Sequence, residues 1–117
     1  MATEADHFKK AESNKRFLSK IDDEFCDWIA IVAFYAAVHF VEALLAKNGM
    51  PSNSHRERNS SLRQNYPSIW EHFQPLYNVS KWLRYTNCEL SATHIKTHLV
   101  DGRLADVESA VRTALKK

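Results

Sequence analysis

Apolar residues recur at helical spacing along most of this chain, and no segment shows the sustained alternation of a strand. Phe8, Ala11, Leu18 and Ile21, with Phe17 beside them, mark the inner stripe of a first helix from about Thr3 to Lys20. Lys9, Arg16 and Lys20 recur away from that stripe, as a solvated face or an anion-binding one; interleaved acidic residues favour the former. From Phe25 to Ala46 nearly every side chain is apolar, which predicts a second helix buried on all sides at the centre of the fold. Asp22, Asp23 and Glu24 complement the dipole at its start, and Lys47, Asn48 and Gly49 mark its end, with Pro51 barring any continuation.

After a connection from Gly49 to Asn53, Ser54-His55-Arg56-Glu57 fits a capping box: Ser54 starts a third helix and Glu57 returns the bond. His55, Arg58 and Leu62 then share one face, so the histidine and the arginine are expected to point inward. This helix should fade near Tyr66. Ile69, Trp70, Phe73, Leu76, Tyr77, Ser80, Leu83 and Arg84 form the stripe of a fourth helix that keeps its phase across Pro75, predicting a kink and no break. The pattern is poor from Thr86 to Leu99. Asp101-Gly102 reads as a turn or helix start, and Leu104, Val107, Val111 and Ala114 define a last helix ending near Lys116. The expected fold is all-α: one domain over residues 1–117, an antiparallel bundle of four to five helices.

The totals agree with a globular domain, at 44% hydrophobic and 26% charged residues. A net charge of +2 is too small to make nucleic acid the default partner. Cys26 and Cys88 lack CxxC spacing and predict no disulfide framework. Met1 to Asp6 is acidic and polar, unlike a secretory leader. Between Asp27 and Glu42 lie 14 uncharged residues, short of a membrane span of about 20, so a soluble, cytoplasmic protein is expected.

Three polar sets are candidates for chemistry. On the second helix Tyr35, His39 and Glu42 fall within about 60° of one another, and a buried polar stripe must find partners. His39 with Glu42 suits a base and its orienting carboxylate; equally, Arg58 or Arg84 from a neighbouring helix would satisfy each of them structurally. The second set, His55 with Arg58, suits phosphate binding and proton transfer, or simply ties the third helix to Glu42. The third is Cys88, His94 and His98. The two histidines have zinc-like spacing only if helical, no fourth ligand is near, and surface histidines are the better reading. No metal or cofactor is expected. If there is a ligand site, it collects Tyr35, His39, His55, Arg58 and Arg84.

Phe34-Tyr35-Ala36-Ala37-Val38-His39, then Glu42-Ala43, His55-x-x-Arg58, Leu76, Ser80 and Arg84-Tyr85 together resemble the HEPN superfamily of small helical domains. These features cover about half the chain, from Asp27 to Tyr85. The resemblance implies a helical bundle that often dimerises and serves as an RNase or as a nucleotide- or RNA-associating module in stress, toxin–antitoxin or phage-defence systems. Active members carry an arginine followed about four to six residues later by a histidine. No histidine stands at that spacing after Arg56, Arg58, Arg63 or Arg84, and His55 precedes Arg58. The expected role is therefore a homodimeric nucleotide- or RNA-associating module. Its rivals are a metal-independent RNase using Arg58 with His55 or His39, and a non-catalytic domain that binds a protein such as a nucleotidyltransferase-like antitoxin.

Overall fold

The computed structural model describes residues 3–50, 52–85 and 91–116. Helix α1 (Glu4–Leu18) starts at Thr3, whose hydroxyl accepts from the Asp6 amide at 3.1 Å while the Asp6 carboxylate accepts from the Thr3 amide at 2.9 Å. Two donors left orphaned at a helix start are thus satisfied reciprocally. The same bonds hold the Asp6 carboxyl below the usual carboxylate range.

A 3-10 turn at Asp23–Phe25 leads into α2 (Cys26–Lys47), of whose 22 residues 14 are buried. That share makes α2 the central helix, with α1, α4 and α6 packed around it. Its fully buried alanines (Ala33, Ala36, Ala37 and Ala43) allow neighbouring backbones to come close, while Phe34, Phe40 and Leu44 fill the space between. Residues 23–47 are long and apolar enough to cross a membrane when a charge such as Glu42 is allowed within the span, a looser criterion than the uncharged run between Asp27 and Glu42; most of that stretch is covered by other helices of the same chain.

Helices α3 (His55–Asn65) and α4 (Pro67–Leu83) meet at Tyr66, with Pro67 at the first position of α4, where a missing N–H costs nothing. Ser54 caps α3 by accepting from the Glu57 amide at 3.1 Å. Glu57 returns its bond to the Asn53 amide at 2.8 Å, one residue before the cap itself. Helix α4 runs unbroken through Pro75 and buries Ile69, Phe73, Leu76, Ser80 and Leu83.

The C-terminal segment differs from the expected turn and helix. Helix α5 (Ala92–Ile95) passes into a π-helical stretch (Lys96–Leu104) and then α6 (Ala105–Leu115). Asp101-Gly102 therefore lies inside a helix with more residues per turn. A Cβ on Gly102 would stand 3.2 Å from the Thr97 carbonyl oxygen five residues earlier, a close approach that explains a glycine where a turn was expected. Ion pairs from Lys15 to Glu108 (2.6 Å) and from Arg112 to Glu12 (2.7 Å) join α1 to α6 at the surface. Among the described residues there is no strand, so the fold is all-helical.

Candidate functional site

Phe34, fully buried on α2, is the hub of the polar residues singled out in the sequence. The Arg58 guanidinium stands 5.6 Å from its ring centre and 5.2 Å from that of Phe73. Arg84 stands 5.8 Å from Phe34 and 5.8 Å from Tyr35. The His55 ring lies 6.1 Å from Phe34 and 6.4 Å from Tyr77. Helices α2, α3 and α4 thus each contribute to one group, because Phe34, Arg58 and Phe73 are each turned inward at the junction of the three.

The members differ in exposure. Arg58 is only 2% exposed, with Nε and Nη2 both donating to Asn59 Oδ1 at 3.3 and 3.1 Å. Burial pulls its pKa below the ordinary arginine value, though an arginine remains protonated. His55 and Arg84 are exposed and Tyr35 is 40% exposed, so the expectation that His55 points inward with Arg58 is corrected. The reason lies in position: His55 opens the helix, whereas Arg58 sits a turn further in, beside Leu62. Arg84 Nη2 donates to the Tyr35 hydroxyl at 3.3 Å and to Ser80 Oγ at 3.4 Å. Among the described residues, neither Arg58 nor Arg84 has a carboxylate within 4 Å.

Glu42 is the acidic neighbour, but the hydrogen bond it accepts comes from Ser52 Oγ at 2.6 Å. Its charge acts on Arg58 and His55 from a distance, stabilising their protonated forms. For His55 the opposing influences win: partial burial first, then Arg58 and Arg84, lower its pKa and favour the neutral ring near pH 7. An exposed arginine, a neutral histidine and two phenols around aromatic faces can hold a phosphate, stack a base and accept a proton.

His39 stands apart. On the helical wheel Glu42 falls about 20° to one side of Tyr35 and His39 about 40° to the other, which turns His39 toward α1. Its Nδ1 lies 3.1 Å from Nδ1 of His7, and the rings stack at 5.4 Å. The partner from another helix is therefore His7, not Arg58 or Arg84, and His39 does not join the Phe34 group. Only one of the two facing nitrogens can carry a proton in that bond. Burial, then His7 and Lys10, lower the His39 pKa from 6.5 to about 4.

The consequence is a pH dependence of folding. In the unfolded chain His39 takes a proton near pH 6.5, while the folded chain refuses it until about pH 4. Stability is therefore expected to fall as pH drops through that window, by about 1–2 kcal/mol once the partly exposed ring is discounted for solvent screening. Urea midpoints at pH 7.5 and 4.5 should lie further apart in the wild type than in His39→Gln. Equal gaps in the two proteins would remove His39 as the cause.

His94 and His98 do lie on a helical segment, with ring centres 4.4 Å apart, and both are exposed. Cys88 lies outside the described residues, among which no group of three or more metal-ligating side chains forms. Lys9 and Arg16 are exposed on α1, and Lys20 is exposed just beyond it, since the helix ends at Leu18 and not at Lys20. Phe34 as a contact residue and His7 as the partner of His39 were missed in the sequence, whereas Tyr77, Ser80 and Arg84 already shared a face of the α4 stripe. Helical spacing places Phe34 next to Tyr35 and near the α4 stripe, but it cannot say that two arginines share its ring. Compared with known proteins, the chain matches no family model and no curated protein.

Proposed function

We propose that this chain is a HEPN-like antiparallel helical module that associates with a nucleotide or with RNA through Arg84, His55 and Tyr35. One observation carries the reading: these three exposed groups surround an aromatic hub backed by the buried Arg58, and no carboxylate of the described residues neutralises either arginine. Two arginines with no carboxylate of the described residues in pairing distance, Glu42 acting on Arg58 only from further off, are suited to accept a phosphate. Tyr35 and Tyr77 offer faces for a base. Arg58 sets the local potential from behind rather than reaching the ligand. A stress, toxin–antitoxin or phage-defence setting belongs to the same proposal, whereas a nucleotidyltransferase-like antitoxin as binding partner belongs to the rival non-catalytic interaction domain.

The rival reading, an RNase, is narrowed to His55 as its base, since His39 faces α1. Exposed Tyr35 on α2, with Trp82 and Tyr85 at the end of α4, leaves large side chains uncovered, which supports an isologous homodimer. Titration of the wild type with AMP and with a short single-stranded RNA, at two salt concentrations, tests the reading. Arg84→Ala should weaken binding about tenfold or more, the loss of a charged hydrogen-bonded contact, and His55→Ala should weaken it less. Wild-type affinity retained by both variants would place the site elsewhere. An RNA-cleavage panel separates the RNase, which His55→Ala should silence, and light scattering distinguishes a dimer from the 13.5 kDa monomer.

A further inference from the structure

The corner between α1 and α2 carries a second surface, unrelated to the Phe34 group. Phe17 at the end of α1, Phe25 in the 3-10 turn and Trp28 in the first turn of α2 are 52%, 49% and 55% exposed. They line one shallow cleft of about 320 Å³ with Ile21, Lys20 and Asp22. Three large aromatics exposed side by side have nothing to gain in water, and such residues are the usual anchors of protein interfaces.

The rim carries an excess of acid. Residues 16–28 hold Asp22, Asp23, Glu24 and Asp27 against Arg16 and Lys20, in a chain whose net charge is +2. Asp22, Asp23 and Glu24 are exposed; Asp23 pairs with Lys96 and Asp22 accepts from the Glu24 amide at 2.9 Å. This charge selects the occupant. A two-fold contact through the corner would set acidic rim against acidic rim, which disfavours a second copy of the chain here. An anionic bilayer is repelled for the same reason.

We propose that this corner docks a basic amphipathic segment of a partner protein, its apolar side chains entering between Phe17, Phe25 and Trp28 and its Lys or Arg residues facing the acidic rim. Helix-in-groove recognition has this division of labour, with apolar anchors for affinity and charge for selection.

The test uses the full chain and two fluorescein-labelled synthetic helical peptides of about 18 residues. Both have leucines on one face; the other face is all lysine in one peptide and all glutamate in the second. By fluorescence anisotropy the lysine peptide should bind about tenfold or more tighter than the glutamate peptide. Trp28→Ala should weaken the lysine peptide about tenfold with its thermal melt unchanged, because the side chain is exposed. Asp22→Asn with Glu24→Gln should weaken it in the way added salt does. Equal affinity for the two peptides, or unchanged affinity in Trp28→Ala, would overturn the proposal. So would conversion of a dimer to a monomer by Trp28→Ala, which assigns the corner to a second copy, or binding of the wild type to anionic phosphatidylserine vesicles.

Discussion

Phe34→Ala is expected to destabilise the fold by about 3–5 kcal/mol, the range for emptying a phenylalanine site that cannot collapse. The site has little room to collapse because helices α2, α3 and α4 all press on that ring. Phe73 lies 5.7 Å away on one side and Tyr77 5.8 Å away on another, while two guanidinium groups occupy remaining directions. Against a typical total stability of about 5–15 kcal/mol, such a loss takes a large share of what holds the domain folded. The cost has two parts. Removal of a fully buried ring forfeits transfer free energy, and both arginines lose an aromatic face that helps offset their desolvation. Phe34→Leu separates them, since it keeps most of the volume and loses only the aromatic face. A urea series should therefore order the proteins wild type, Phe34→Leu, Phe34→Ala. Equal midpoints for Phe34→Leu and the wild type would mean that the ring acts by volume alone.

The helices were legible because their signals are local. The unbroken apolar run of α2, the Ser54 cap and the stripe of α4 each state their element within one or two turns. The π-helical stretch was not legible, since Asp101-Gly102 carries the same local signature as a turn. Only the Thr97 carbonyl, brought beside Gly102 by the i→i+5 winding, shows why the glycine is there. At the candidate site Tyr35, Arg58 and Arg84 gather around Phe34, as their helical phases suggested, but only Arg58 turns inward while Tyr35 and Arg84 stay exposed. His39 escaped for a quantitative reason. A rotation of about 40° around a helix surrounded on all sides is enough to change which neighbour a side chain meets, and wheel positions cannot say which neighbour packs where.

Arg58 tests whether the polar group serves the fold or a ligand. Arg58→Ala is expected to lose about 2–4 kcal/mol, because a side chain only 2% exposed leaves a hole between Phe34 and Phe73. Arg58→Met refills much of that hole without a charge. A buried charge stabilises only when its partners repay its desolvation, and replacing one by an apolar residue of like volume is often neutral or stabilising. Here the direct partners are two aromatic faces and the neutral Asn59 oxygen, with Glu42 acting only from a distance. Two desolvated faces contribute on the order of 2 kcal/mol each, comparable to the several kcal/mol that burying an ion costs, and no carboxylate of the described residues pairs with the guanidinium to tip the balance toward the charge. Arg58→Met is therefore expected to match or exceed the wild type in thermal melts while binding nucleotide or RNA more weakly. In that outcome the charge is kept against the interest of the fold, as a source of positive potential behind Arg84 and His55. If Arg58→Met instead melts as low as Arg58→Ala and binds normally, the guanidinium is a structural group and the ligand surface owes it nothing.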